Sequence, residues 1–288
     1  MPLPSLAPMV APALPGEGVW TTEGLPSASP GLPAPVAKTF VRPDPARPYA
    51  MVTMLQFNLR DTSLHMVAGI QQPGGSLGLP GPGVIPMADQ QGDTLLATFN
   101  GAFKEADGAG GMMVAGTVYA PPTQGAATIA VTANGRVIMG TWGVDSRLNV
   151  ANQALIAWRQ NGPLLLDHGV MNPLTHNAAA WGISILDHTY TWRSALGLTT
   201  HGTLLYAAGN ALSAATLARA LRAAGAVTAM QTDINPFWVR AFTYGHDAAG
   251  DLTVSRLYPA MAGTGAEYLY GDVRDFFYVT RAALHATH

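Results

Sequence analysis

Three apolar runs of this sequence end in groups able to handle a charged substrate: an amide, a guanidinium and a carboxylate. Asn100 closes Leu95-Leu96-Ala97-Thr98-Phe99, and Asp233 closes Ala229-Met230-Gln231-Thr232. Arg193 sits inside Thr191-Trp192-Arg193-Ser194-Ala195-Leu196-Gly197. Strand ends that converge on one rim form ligand sites, and these three would bring hydrogen bonding, fixed positive charge and an acid to one place. Each also has a plainer reading. Asn100-Gly101 is an ordinary turn, and Asp233-Ile234-Asn235-Pro236 can be a side-chain-capped turn. Arg193, flanked by Trp192 and Ala195, needs a partner if buried, and Asp233 is a candidate.

Other chemistries have no motif here. The histidines at 168, 176, 188, 201 and 246 form no i, i+4 pair and no His-Glu-x-x-His pattern. Asp167-His168 and Asp187-His188 are adjacent in sequence and would point to opposite sides of a strand. There is no Gly-x-Ser-x-Gly elbow, no Walker loop and no dinucleotide fingerprint, so neither metal nor cofactor is expected. Trp142-Gly143 and Trp181-Gly182 could be sugar-stacking platforms, but are more commonly core aromatics.

The elements that must position these residues read as mostly strands. Residues 51–58, 64–70, 94–99, 112–119, 126–132 and 136–142 are β-forming runs separated by turn signals, with Asn134-Gly135 a strong hairpin signal. Residues 73–86 are rich in Pro and Gly and read as a loop. Residues 164–167, 181–186, 191–198, 203–208 and 227–232 continue the strands, and 237–244 is expected to pair with 252–257. Helical spacing appears at 150–159, at 213–223 and at 272–283. The second is the clearest, with Ser213 as N-cap, Leu217 and Leu221 on one face, and Gly225 to end it. The expected fold is α+β: a single domain on a mixed, largely antiparallel sheet core with about three helices.

Residues 1–48 hold 12 of the 22 prolines and read as a polyproline-like linker or tail, leaving 49–288 as the folded domain. Trp20 in that tail is costly to leave wet, so it either packs back on the domain or forms a short exposed patch. The chain of 288 residues carries 11% charged residues, a net charge of -2 and no Lys/Arg run. The charged share is about half the usual one, and the footprint of a nucleic-acid binder is missing. No cysteine is present, so disulfides and thiolate metal sites are excluded. The start Met1-Pro2-Leu3-Pro4 has neither a basic nor an apolar signal region, so the expectation is either a cytoplasmic protein or, the reading favoured here, an export segment or anchor lying upstream.

Taken together, Asn100-Gly101-Ala102-Phe103, Arg193-Ser194-Ala195-Leu196-Gly197 and Asp233-Ile234-Asn235-Pro236-Phe237-Trp238-Val239 resemble the phosphodiester glycosidase family in order and rough distance. Gly16-Glu17-Gly18-Val19-Trp20, Phe40-Val41-Arg42-Pro43-Asp44, Gly140-Thr141-Trp142-Gly143-Val144-Asp145 and Arg274-Asp275-Phe276-Phe277 resemble a bacterial branch of it. The resemblance implies an extracellular or cell-surface setting and a phosphorylated sugar or glycan as partner. It implies hydrolysis of a sugar-1-phosphodiester at the glycosidic side.

On that basis Arg193 is expected to hold the phosphate through paired hydrogen bonds. Asp233 would be the carboxylate facing an oxocarbenium-like transition state, as nucleophile or as base for water. Asn100 would orient a hydroxyl or phosphoryl oxygen, and Lys104 would add positive charge. Ser194, Asn235 and Trp238 would complete the substrate contacts. Where the family carries glycines and serines after the aspartate, this chain has Ile234, Asn235, Pro236, Phe237 and Trp238, which narrow the site or change its substrate. The alternative is a non-catalytic glycan- or envelope-binding surface protein on the same fold.

Overall fold

The computed structural model describes residues 4–26, 34–74, 76–107, 110–185, 188–247 and 249–282. Their strands form three sheets in which every ladder is antiparallel. Strands are numbered in chain order. The first sheet runs β1 (Val36–Val41), β2 (Val52–Asn58), β13 (Thr203–Leu212), β12 (Thr191–Thr199), β14 (Ala226–Ile234), β10 (Leu164–Asp167), β11 (Val170–Met171). The second runs β16 (Leu252–Arg256), β15 (Ala241–His246), β4 (Leu95–Asn100), β17 (Phe276–Arg281), β3 (Thr62–Val67). The third runs β6 (Thr117–Ala120), β5 (Met112–Val114), β9 (Leu155–Asn161), β7 (Ala127–Thr132), β8 (Val137–Thr141).

All three sheets turn one face to a common core. Phe57 of β2, Phe99 of β4, Ile129 of β7, Leu196 of β12, Met230 of β14 and Phe277 of β17 are all buried in it. A sheet with one face buried specifies its register, because a one-residue slip would turn the apolar set outward. The opposite face of the first sheet is covered by helix α1 (Ala214–Ala223) and by residues from the N-terminal segment, including Leu6 and Trp20. Helix α1 starts where expected: Ser213 Oγ accepts the Thr216 N–H at 3.2 Å, closing a capping box. Leu217 and Leu221 face the sheet fully buried, and Gly225 follows the helix at φ +86°.

Several expectations fail, each for a tertiary reason. Residues 150–159, read as helical, contribute to β9, which lies between β5 and β7. Its Leu155, Ala157, Trp158 and Arg159 are buried on two sides, so packing overrides the helical spacing. The segment 272–283, also read as a helix, supplies β17, the central partner of β3 and β4; residues beyond 282 lie outside the described part. Its Phe276-Phe277-Tyr278-Val279-Thr280 is aromatic and β-branched, which suits a sheet. Two α-helices are present among the described residues, α1 and the single turn α2 (Glu267–Tyr270), in place of about three. No ladder among the described residues is parallel, so the largely antiparallel part of the expectation holds and the mixed part does not. Of the run 181–186, residue 186 lies outside the described residues and 181–185 form no strand: Trp181 ends a 3-10 turn, and Gly182 leaves it at φ +87°.

The stretch read as linker also contains structure. Strand β1 falls within it, and Glu17 and Arg42 form a buried ion pair of 2.8 Å. The hairpin of β7 and β8 and the pairing of β15 with β16 follow expectation.

Candidate functional site

The three sheets meet at one knot of side chains, and Asn100 is its centre. Asn100 ends β4. Its Nδ2 donates to Gly101 O at 2.8 Å, Ser194 Oγ at 3.0 Å and Thr232 Oγ1 at 3.3 Å. Its Oδ1 accepts from the Tyr206 hydroxyl at 2.9 Å and from the Arg240 N–H at 3.2 Å. Burial pushes the Tyr206 hydroxyl far above its ordinary range, so it stays a donor. Asn161, at the end of β9, donates to Gln231 O and Thr232 O, each at 2.8 Å. The three segments singled out in the sequence therefore do converge. The amide of Asn100 holds them together with both polar atoms engaged, and the residue is 5% exposed. Ser194, fully buried, is part of the same knot and accepts the Asp233 N–H at 3.2 Å.

Past the knot, β14 bulges against β12 and delivers the Asp233 carboxyl to a cleft of about 570 Å³. That size lies within the ~300–1,000 Å³ of small-molecule sites. Lys104, Asn235, Trp238 and Arg274 line the same cleft. Asp233 Oδ2 accepts from Arg274 Nη2 at 2.7 Å, and Oδ1 accepts the Ile234 N–H at 2.8 Å. Burial pushes this carboxyl up to about 7, against the opposing pull of Arg274 and the Ile234 amide. Arg274 also donates to Ala102 O at 3.0 Å, and its Cζ lies 4.6 Å from the centre of the Trp238 ring, a cation–π contact that fixes the guanidinium plane.

Below the cleft, Arg159 and Asp275 form a bidentate pair, Nε–Oδ2 at 2.9 Å and Nη2–Oδ1 at 3.1 Å. Both are buried. Arg159 also holds Phe103 O, and Asp275 accepts the Ala102 N–H at 3.2 Å. A side chain at position 101 would meet the Asp275 carboxylate and carbonyl, which is why glycine stands there. This pair clamps the 101–103 turn that carries Phe103 and Lys104 into the cleft.

Arg193 does something other than expected. Side chains alternate along β12, so Ser194 turns to the knot and Arg193 to the opposite face. Its guanidinium donates to Leu212 O at 3.0 Å, Trp181 O at 3.2 Å, Gln231 Oε1 at 2.7 Å and Thr189 O at 3.3 Å. Its described salt-bridge partners include no carboxylate, and burial lowers it to about 10. The cation beside Asp233 is Arg274, and Arg193 is a buried clamp on the Trp181 carbonyl, which Gln231 Nε2 also holds at 2.9 Å. Trp142 and Trp181 are core residues, 4% and 2% exposed. Trp238 alone of the proposed stacking and contact tryptophans lines the cleft.

Of the residues picked from sequence, Asp233, Lys104, Asn235 and Trp238 share the cleft, whereas Asn100, Arg193 and Ser194 are not in its lining. Arg274, Arg159 and Asp275 were not picked as site residues. Reading 272–283 as a helix hid the first and third, although the run of aromatic and β-branched residues after Asp275 carried the strand signal. A carboxylate able to take a proton near neutrality, beside a guanidinium and a lysine, can activate water and hold an anionic leaving group.

Residues 93–233 match the model of the phosphodiester glycosidase family. That span contains Asn100, Arg193 and Asp233 and stops before Trp238 and Arg274. No curated protein matches the sequence. Among solved structures, the chain is similar to the zebrafish N-acetylglucosamine-1-phosphodiester alpha-N-acetylglucosaminidase catalytic domain, auto-inhibited by its pro-peptide. The TM-score is 0.52 at 12% identity, over 90% of this chain and 87% of that one. A hypothetical protein from Synechocystis aligns with a TM-score of 0.45 at 14% identity, over 81% of this chain and 59% of that one.

Proposed function

We propose, on the match of residues 93–233 to the phosphodiester glycosidase family model, that this chain is a hydrolase that cleaves a sugar-1-phosphodiester at the glycosidic bond. The observation that carries this is the Asp233–Arg274 pair opening on a cleft that also holds Lys104. A phosphate monoester is a good leaving group, so the main demand is to hold its charge as the C1–O bond breaks. Arg274 and Lys104 meet that demand. Asp233, poised near neutral pH, takes the proton of the attacking water, whose oxygen bonds to C1 as the phosphomonoester departs. Asn235 and Trp238 line the sugar's surroundings.

The sugar is a separate question. The zebrafish protein is named for N-acetylglucosamine, but here Ile234, Asn235, Pro236, Phe237 and Trp238 follow the aspartate and shape a different wall. Substrates in envelope or extracellular glycans, and a place outside the cytoplasm, fit the sparse charge and the lack of cysteine.

The test is hydrolysis of a panel of UDP-sugars and synthetic sugar-1-phosphodiesters in H₂¹⁸O. Label is expected in the free sugar and not in the phosphomonoester. Label in the phosphate would mean P–O cleavage. Equal rates for wild type and Asp233→Asn across the panel would remove Asp233 from catalysis.

A further inference from the structure

The cleft has two chemically distinct kinds of lining. Asp107, Asp233, Arg274 and Lys104 supply ionic groups to its lining, and Phe103, Ala179 and Ile183 supply apolar ones. Ile183 lines the cleft and yet is 87% exposed. Outside the lining itself, Ile185, two residues after Ile183, is 49% exposed and Phe237, next to Trp238, is 58% exposed. The two lips adjoin: the Ile185 N–H donates to Asn235 Oδ1 at 2.8 Å, and Phe237 follows Asn235 by two residues. Single exposed apolar residues are ordinary, but a group of them around a site marks contact with an apolar ligand.

This lip is built, not loose. Arg193 and Gln231 both grip the Trp181 carbonyl, and Trp181 Nε1 donates to Leu174 O at 2.7 Å. Gly182 lies where a Cβ would strike the Phe103 ring. A buried cation and a buried amide are thus committed to holding a segment whose tip presents isoleucine to water. Preorganised apolar contacts of this kind favour a ligand that lies along them.

We propose that the group on the far side of the phosphate is a hydrocarbon chain, so that the substrate is a lipid-linked sugar 1-phosphodiester and the leaving group an alkyl phosphate. This rests on the glycosidase assignment above. The charges fit such a ligand: its anionic phosphate meets Arg274 and Lys104, and its chain runs out over Ile183, Ile185 and Phe237. Hydrolysis balances as before, with water oxygen joining C1 and the alkyl phosphate leaving with the C1–O electron pair.

The experiment compares one sugar 1-phosphate esterified with methyl, butyl, octyl and dodecyl groups, all below their micelle-forming concentrations. Expected is a rise in kcat/KM with chain length, at least tenfold from methyl to octyl. The surface substitutions Ile183→Asn and Phe237→Ser together should bring the octyl-to-methyl ratio near one, with an unchanged melting temperature showing that the fold is intact. A flat chain-length series in an active enzyme would overturn the proposal. So would a rise that survives the double substitution. Sedimentation showing a dimer that the double substitution dissolves, together with a flat series, would assign the lips to a second copy of the chain. If no member of the series is hydrolysed, the glycosidase assignment itself fails.

Discussion

A carboxyl buried as deeply as that of Asp233 holds its charge poorly, and Arg274 is the group that compensates it. An unfolded aspartate titrates near ~3.9, whereas folding raises Asp233 to about 7. The native state therefore keeps a proton that the unfolded chain has released. This site's effect on stability is most favourable below about pH 4, worsens as pH rises towards about 7, and is level above that. Replacing Asp233 by Asn should narrow the difference in melting temperature between pH 5 and pH 8 in calorimetry, and parallel curves for the two proteins would contradict the shift. Water activation requires the ionised form, so kcat/KM should rise with pH to a limb near 7. Asp233→Asn should lower it by roughly 10²–10⁴ and abolish the limb. Arg274→Leu removes the compensating cation, so the limb should move to higher pH. A limb that stays in place would mean that Arg274 does not govern Asp233.

At the level of elements, the knot at Asn100 is what makes three sheets one structure. Asn100→Ala leaves buried donors and acceptors of Ser194, Thr232 and Tyr206 with fewer partners, at a cost of roughly 3 kcal/mol. Denaturant unfolding would measure it, and a change within about 0.5 kcal/mol would show that the strand ends hold without the amide. The Arg159–Asp275 clamp tests differently. Arg159→Met strands a buried carboxylate and should cost about 3–5 kcal/mol. Adding Asp275→Asn removes that charge and should recover at least half of the loss. Additive losses would mean that the two side chains act independently.

On the scale of the whole molecule, the N-terminal segment belongs to the fold. Leu6 is buried, and Met9 and Trp20 pack on the second core beside α1. Gly18 approaches Leu6 so closely that a Cβ would strike its carbonyl. Glu17 accepts the Leu14 N–H and the Arg42 N–H, each at 3.0 Å, and pairs with the Arg42 guanidinium. Burial raises the Glu17 carboxyl, but the hydrogen bonds and charge of Arg42 outweigh it and hold it below its ordinary value. Its stabilisation is therefore present above the usual carboxylate range and is lost as pH falls through the lowered value. Glu17→Ala should cost about 3–5 kcal/mol at neutral pH, with KM unchanged because the cleft lies elsewhere. A thermal melt matching wild type would reduce the segment to an accessory.

Local pattern in the sequence was enough for most strands and for α1 with its Ser213 cap, because alternation, capping and turn chemistry act over a few residues. The resemblance to the phosphodiester glycosidase family, and not local pattern alone, brought Asp233, Lys104, Asn235 and Trp238 forward as candidate site residues. The same local pattern misassigned β9 and β17, since a strand buried between neighbours loses its alternation and its identity depends on partners far along the chain. Which side of a strand each residue faces was likewise decided by tertiary packing. Successive side chains of β12 point oppositely, so Ser194 joined the knot and Arg193 was turned away to hold the Trp181 carbonyl. Arg274, 41 residues beyond Asp233, reached the carboxylate only because β17 lies beside β4, and no spacing in the sequence encodes that.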